Sequence, residues 1–178
     1  MTLLLGGVAS GKSRTATALA AGTGRRVTLL ATAEALDDEM VERIARHRAQ
    51  RPVTWTVVEE PLALTAAIER IAAPDVLIVD CLTLWVSNML GDDAPSDDEV
   101  LAQAAAAAKA CASRDAPTIV VSNEVGAGIV PANALARRYR DLLGRVNATF
   151  ADEAGTVVLM VAGRAVTLSE PMTTLEDR

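Results

Sequence analysis

The sequence predicts an α/β fold built on a mainly parallel central sheet, and three observations carry that prediction. Short, almost continuously apolar runs recur along the 178 residues: TLLL (2–5), VTLLA (27–31), VLIVD (76–80), TIVVS (118–122) and TVVLMV (156–161). Strands apolar on both faces are those covered by helices on both sides. Helical patterns fall between them, over 12–22, 36–50, 61–73, 97–114 and 133–154, so strand and helix alternate. The length fits one domain spanning 1–178, large enough to bury a core without staples. With 51% hydrophobic residues and only 2% aromatics, that core must be aliphatic and alanine-rich.

The first strand runs straight into GGVASGKS, comprising Gly6, Gly7, Val8, Ala9, Ser10, Gly11, Lys12 and Ser13. This matches the phosphate-loop pattern G-x-x-x-x-G-K-[ST], and the chemistry needs those types. Glycines let successive backbone N–H groups turn inward around phosphate oxygens, and the following helix adds its positive end. Lys12 reaches the β- and γ-phosphates, and the Ser13 hydroxyl ligates Mg²⁺. The chain has two lysines, Lys12 and Lys109, against fifteen arginines, and one of the two stands on the phosphate-binding position. The motif lies in its required strand–loop–helix context, so the expected architecture is a three-layer P-loop NTPase-type fold. In such sheets ligands collect at the carboxyl ends of the strands.

The second strand ends near Thr32 and Ala33, and the VLIVD strand ends at Asp80, where a carboxylate supports Mg²⁺ in this class of fold. The Asp80 element is followed by CLT, and no N-K-x-D string occurs, which disfavours a regulatory GTPase. A small-molecule kinase or a nucleotidyltransferase remains. Cys81 and Cys111 lack a CxxC spacing or a histidine cluster, which argues against structural zinc; both are expected to be buried. The acidic stretch DDAPSDDE (92–99) reads as a solvated loop and helix start. The net charge of -6 argues against nonspecific binding to nucleic acid or anionic membrane. The start MTLLLGG carries no basic leader, and VLIVDCLTLWV is too short to span a bilayer. The expectation is a cytoplasmic protein without a membrane span.

The string RIARHRAQR (43–51) sets four arginines, Arg43, Arg46, Arg48 and Arg51, around His47, the single histidine of the chain. On a helical wheel Leu36, Met40, Ile44 and His47 share one narrow sector. That periodicity favours a histidine packed on an apolar face. Metal ligation is disfavoured, because no second histidine or cysteine lies nearby. A neutral imidazole is also a competent nucleophile toward phosphorus, and arginines would hold the phosphates. Spacing alone does not choose between packing and chemistry. Likewise NEVGAGIVP (123–131) reads as a Gly-rich strand-to-helix turn, with Pro131 and Asn133 preparing the next helix.

Four segments together resemble a known family: GGVASGKSR (6–14), ATAEALDDEMVERIARHRAQRPVTW (31–55), VDCLTLWVSNML (79–90) and SNEVGAGIVPANALARRYRDLLGRVNA (122–148). The chain looks like the bifunctional adenosylcobinamide kinase / adenosylcobinamide-phosphate guanylyltransferase family of cobalamin biosynthesis, in register over nearly its whole length. The resemblance implies a two-step enzyme. GTP or ATP phosphorylates the aminopropanol hydroxyl of adenosylcobinamide, and GTP then donates GMP to that phosphate, releasing pyrophosphate. It also implies that His47, in the R-I-x-x-H string, is the guanylyl carrier. Thr32, Ala33, Arg48, Arg51, Glu59 or Glu60, and Asp80 match positions implied to line the GTP site. Asn123 and Glu124 match substrate-side or Mg²⁺-side positions, and the family resemblance implies a homotrimer. One departure stands out: the family loop commonly has Arg before S-G-K-S, and this chain has Ala9. Backbone amides do most of the phosphate binding, so the site is expected to survive without that side chain.

Overall fold

The computed structural model describes residues 1–34, 38–49, 52–91 and 94–168, and for Glu39, Arg43 and His47 the backbone alone. In chain order the elements are β1 (Thr2–Gly6), α1 (Lys12–Ala21), β2 (Val27–Ala31), α2 (Asp38–Ala49), β3 (Thr56–Glu59) and α3 (Leu64–Arg70). They continue with β4 (Val76–Asp80), α4 (Leu82–Asn88), α5 (Asp97–Ala112), β5 (Thr118–Val121), α6 (Ala134–Asp152), β6 (Thr156–Val161) and β7 (Arg164–Leu168). Among the described residues the strands form one seven-stranded sheet in the order β3-β2-β4-β5-β1-β6-β7. All neighbours pair in parallel except β6 and β7, which form an antiparallel hairpin.

All five expected strands and all five expected helices are present, with ends shifted by up to three residues. Residues 36 and 50, the expected limits of the second helix, lie outside the described residues. Three elements were not anticipated. β3 is a four-residue edge strand with mostly exposed side chains, so its sequence lacks a buried-strand pattern. α4 starts immediately after β4 and continues the same apolar run, which hides the boundary. β7 is exposed along its whole length and contributes little apolar signal.

Alternation along the strands sends side chains to two separate cores. Leu3, Leu5, Leu77, Val79 and Val120 face α3, α4, α5 and α6. Leu4, Val76, Ile78, Ile119 and Val121 face α1. That is the three-layer P-loop NTPase-type arrangement. Small residues let the helices come close: Ala16 and Ala20 seat α1, and Ala104, Ala107 and Ala108 seat α5, all almost fully buried. With so few aromatics, Trp85 and Phe150 fill the largest volumes of the four-helix face, both 0% exposed. The Trp85 indole Nε1 also donates to the Leu62 carbonyl at 2.9 Å, so its polar edge is satisfied.

Helix starts follow local chemistry. Ser96 accepts from the Glu99 N–H at 3.3 Å, and Glu99 accepts from the Ser96 N–H at 2.8 Å, a reciprocal capping box. Asp97, Asp98 and Glu99 then occupy the positive end of α5, so the acidic stretch is a helix start, as expected; Asp92 and Asp93 lie outside the described residues. Asn133 caps α6 by accepting from the Ala136 N–H at 3.1 Å.

Phe150→Ala should leave a cavity in the four-helix face and cost about 3–5 kcal/mol. The expected result is a lower urea midpoint at nearly unchanged slope; an unchanged midpoint would show that the site collapses around the smaller side chain.

Candidate active site

The phosphate loop is anchored to the sheet at Gly6. Its φ is 146°, and a Cβ there would meet the Met160 carbonyl oxygen at 2.4 Å, so no side chain fits. The Gly6 carbonyl accepts from the Glu124 N–H at 3.2 Å, tying the loop to the end of β5. The Gly163 N–H, in the β6–β7 turn, donates to the Ser10 carbonyl at 2.9 Å and holds the loop from the other side. Gly11 takes φ 101°, and Ala9 takes φ 56°, a left-handed conformation carried here by a residue with a Cβ. Ala9 is exposed, so its methyl meets no obstruction. The loop therefore keeps the required shape without the family's arginine.

Lys12 opens α1 and is only 7% exposed. Its Nζ donates to the Gly6 carbonyl at 2.8 Å and to the Gly7 carbonyl at 2.7 Å. A buried ammonium needs such acceptors, and these are the groups that phosphate oxygens would replace. Gly7 and Val8 form the exposed outer turn of the loop, Ser10 is buried beneath it, and Ser13 follows in the first turn of α1.

The strand order sets the rest. β5 lies between β1 and β4, and its Val121 is level with Leu4 on one side and Asp80 on the other. The loop and Asp80 thus flank one strand end, and both line a single cavity of about 700 Å³. Ala31 and Ala33 from the end of β2, Glu59 from β3, and Ala162 and Gly163 from the β6–β7 turn complete its walls. Met40, Ile44 and Arg46 of α2 also line it. Position 47 follows Met40 by seven residues and Ile44 by three, which puts it on their helical stripe.

The remaining expected site residues divide. Arg48 pairs with Glu59, linking α2 to the edge strand β3 through two half-exposed side chains. Thr32 is fully buried and ties strand ends together: its hydroxyl donates to the Cys81 carbonyl at 2.7 Å and accepts from the Cys81 N–H at 2.9 Å. Glu60 accepts from the Leu62 and Ala63 N–H groups at 3.2 and 2.9 Å, turning the chain into α3. Neither Thr32 nor Glu60 is among the residues of the cavity wall. Arg51 lies outside the described residues.

Cys111 is buried, as expected, but Cys81 forms part of the cavity wall. Burial, reinforced by the Asp80 carboxylate, pushes the Cys81 thiol up to about 11. It therefore stays protonated at neutral pH and is a poor nucleophile.

Several supporting residues escaped sequence reasoning. Asn88 donates to the Thr32 and Pro61 carbonyls at 2.7 and 3.2 Å. Thr83 accepts from the Asn123 N–H at 2.8 Å. Asn147, 5% exposed, accepts from the Ser122 hydroxyl at 2.6 Å and donates to the Asn123 carbonyl at 3.0 Å. The available signal was a polar residue on the apolar stripe Leu142, Leu143, Val146 and Phe150 of α6.

Comparison with known proteins agrees with this geometry. The family model for cobinamide kinase / cobinamide phosphate guanyltransferase, CobU, matches residues 2–168. The bifunctional adenosylcobalamin biosynthesis protein CobP of Pseudomonas aeruginosa is 44% identical over 172 residues, covering 96% of this chain and 98% of the relative. The bifunctional adenosylcobalamin biosynthesis proteins CobU of Escherichia coli K12 and Salmonella typhimurium LT2 are 42% and 40% identical, each match covering 93% of this chain and 98% of the relative. Among solved structures, the flagellar accessory protein FlaH of Methanocaldococcus jannaschii superposes with a TM-score of 0.51 at 14% identity, over 96% of this chain and 78% of its own. A Pyrococcus horikoshii protein, project PH0250, gives 0.54 at 7% identity, over 99% and 87%. Those two likenesses show the fold alone. The family match over nearly the whole chain, with a phosphate loop and a facing carboxylate around one cavity, establishes that this chain belongs to the cobinamide kinase / cobinamide phosphate guanyltransferase family of bifunctional enzymes.

Proposed function

We propose that this single domain catalyses both steps: phosphorylation of adenosylcobinamide by ATP or GTP, then transfer of GMP from GTP through His47. The observation that carries the reading is the shared cavity. Lys12, Ser13 and Asp80 line it from the sheet, and Met40 and Ile44 of the His47-bearing helix line it from α2.

In the first step the aminopropanol hydroxyl attacks the γ-phosphorus. The bond from that phosphorus to the β,γ-bridging oxygen breaks, the nucleoside diphosphate leaves, and the hydroxyl proton passes to solvent or to a phosphate oxygen. Lys12 exchanges its two loop carbonyls for phosphate oxygens and follows the charge as it moves to the leaving diphosphate. In the second step an imidazole nitrogen of His47 attacks the α-phosphorus of GTP, forming a P–N bond and expelling pyrophosphate. The phosphate of adenosylcobinamide phosphate then attacks the same phosphorus, the P–N bond breaks, and adenosyl-GDP-cobinamide forms with the imidazole restored. Arg46 in the cavity wall would neutralise charge on the phosphates, with Arg48 and Arg51 further along the same arginine-rich string.

The donor set suits Mg²⁺. Ser13 offers a hydroxyl and Asp80 a carboxylate on the same cavity, both hard oxygen ligands, and Mg²⁺ bound with nucleotide uses one or two protein oxygens beside phosphates and water. No group of three or more His, Cys, Asp or Glu occurs among the described residues, in keeping with such a sparse site. When bound, the ion would neutralise phosphate charge. Among the described residues no helix is long and apolar enough to cross a membrane, and we place the enzyme in the cytoplasm as a homotrimer, acting on small molecules rather than nucleic acid.

Incubation with [α-³²P]GTP should give a protein-bound label that is acid-labile and alkali-stable, as expected for a phosphoramidate. His47→Ala should abolish it while leaving transfer of the γ-phosphate to cobinamide; persistence of the label in that variant would remove His47 from the mechanism. Lys12→Ala should weaken nucleotide binding by about 10–100-fold, since a hydrogen bond to a charged group contributes about 1.5–3 kcal/mol. Unchanged affinity by titration calorimetry would rule out the loop as the nucleotide site.

A further inference from the structure

The end of β5 carries a second feature that the loop, Asp80 and His47 do not account for. Asn123 stands two residues beyond Val121, the residue level with both Leu4 and Asp80. It therefore overhangs the sheet edge between the loop that holds phosphates and the carboxylate that faces them. Strand alternation puts Asn123 with Val121 on the α1 face, and both line the cavity, whereas Ser122 points to the opposite face and is 0% exposed.

Its backbone is fixed on every side. The Asn123 N–H donates to Thr83 Oγ1 at 2.8 Å, its carbonyl accepts from Asn147 Nδ2 at 3.0 Å, and the next N–H is bound to the Gly6 carbonyl at 3.2 Å. Thr83 and Asn147 are themselves buried, at 8% and 5% exposure. Yet the carboxamide makes no hydrogen bond among the described residues. A locked main chain presenting a free polar end into a cavity is the arrangement of a preorganised ligand contact. The amide is also the suitable group beside Asp80, because it donates through Nδ2 without adding a second negative charge near phosphate oxygens.

We infer that the Asn123 carboxamide hydrogen-bonds the terminal phosphate of the bound nucleoside triphosphate, with Thr83 and Asn147 as positioning residues. This rests on the reading of the loop as the triphosphate site. Asn123 then distinguishes triphosphate from diphosphate, and it steadies the phosphoryl group during transfer to the acceptor hydroxyl.

Affinity for the α,β-methylene analogue of GTP, which cannot donate GMP, should be compared with affinity for GDP by titration calorimetry. Asn123→Ala should weaken triphosphate binding by about 10-fold or more with GDP binding unchanged, and lower the kcat of phosphoryl transfer by about 100-fold. Asn123→Asp should lose more triphosphate affinity than Asn123→Ala, because its carboxylate repels the phosphate. Thr83→Val should move the ratio in the same direction by less, and Thr83→Ser should restore it. An unchanged triphosphate-to-diphosphate ratio in Asn123→Ala, in protein with the wild-type urea midpoint, overturns the assignment. A changed ratio with Asn123→Ala but not Thr83→Val overturns the positioning role. The ratio needs no corrinoid, so a wild-type enzyme inactive on cobinamide would count against the proposed function and leave this result standing.

Discussion

The Gly6 carbonyl is where the sheet becomes a nucleotide-handling device. One oxygen receives the Glu124 N–H and the Lys12 ammonium, so strand β5, the loop and helix α1 are joined at a single acceptor. That convergence depends on the backbone of β1 running directly against β6, with the Met160 carbonyl so near that a Cβ at residue 6 has no space. The glycine is thus required by packing from outside the loop as well as by the turn within it. Any side chain there would push β1 from β6 and displace Lys12 at the same time.

Around that junction the strand ends are fastened by side chains rather than by further sheet. Thr32 grips the backbone of Cys81, Asn88 reaches the ends of β2 and β3, and Asn147 spans Ser122 and Asn123. Parallel strands run out of ladder partners at their carboxyl edge, where the ligand must enter. Buried hydroxyls and amides satisfy the freed backbone groups there and hold the strand ends in place. Their positions on α4 and α6 explain why two helices without a cavity-lining nucleophile of their own still shape the site.

Much of this was legible in the sequence. Two-sided apolar runs announced the central strands, alanine-rich helical stripes announced the close layers, and GGVASGKS announced the loop with its lysine. What escaped were elements whose role is positional. The β3 segment TVVE and the β7 segment RAVTL sit at sheet edges, where exposed positions carry no burial pattern. The helix 82–88 shares one apolar run with the strand before it, and no turn residue separates them. At the site, spacing could name Lys12, Ser13 and Asp80 because each belongs to a local motif. It could not show that Thr32 and Glu60 bond to backbone while Asn123 enters the cavity, since that depends on which residues distant in sequence stand beside each strand end.

The resting place of Lys12 bears on which molecules the loop will admit. Its ammonium is already solvated by two carbonyl dipoles, so an incoming ligand gains only the difference between its own oxygens and those of Gly6 and Gly7. A neutral hydroxyl or amide offers no advantage over a peptide carbonyl and leaves that charge where it lies. A polyanion does, because each formal negative charge outcompetes a dipole for the same donor. Selectivity for phosphate chains over the sugars and amides abundant in a cell is thereby set before any base or corrinoid is recognised, through an exchange of acceptors instead of the filling of a vacant cation site.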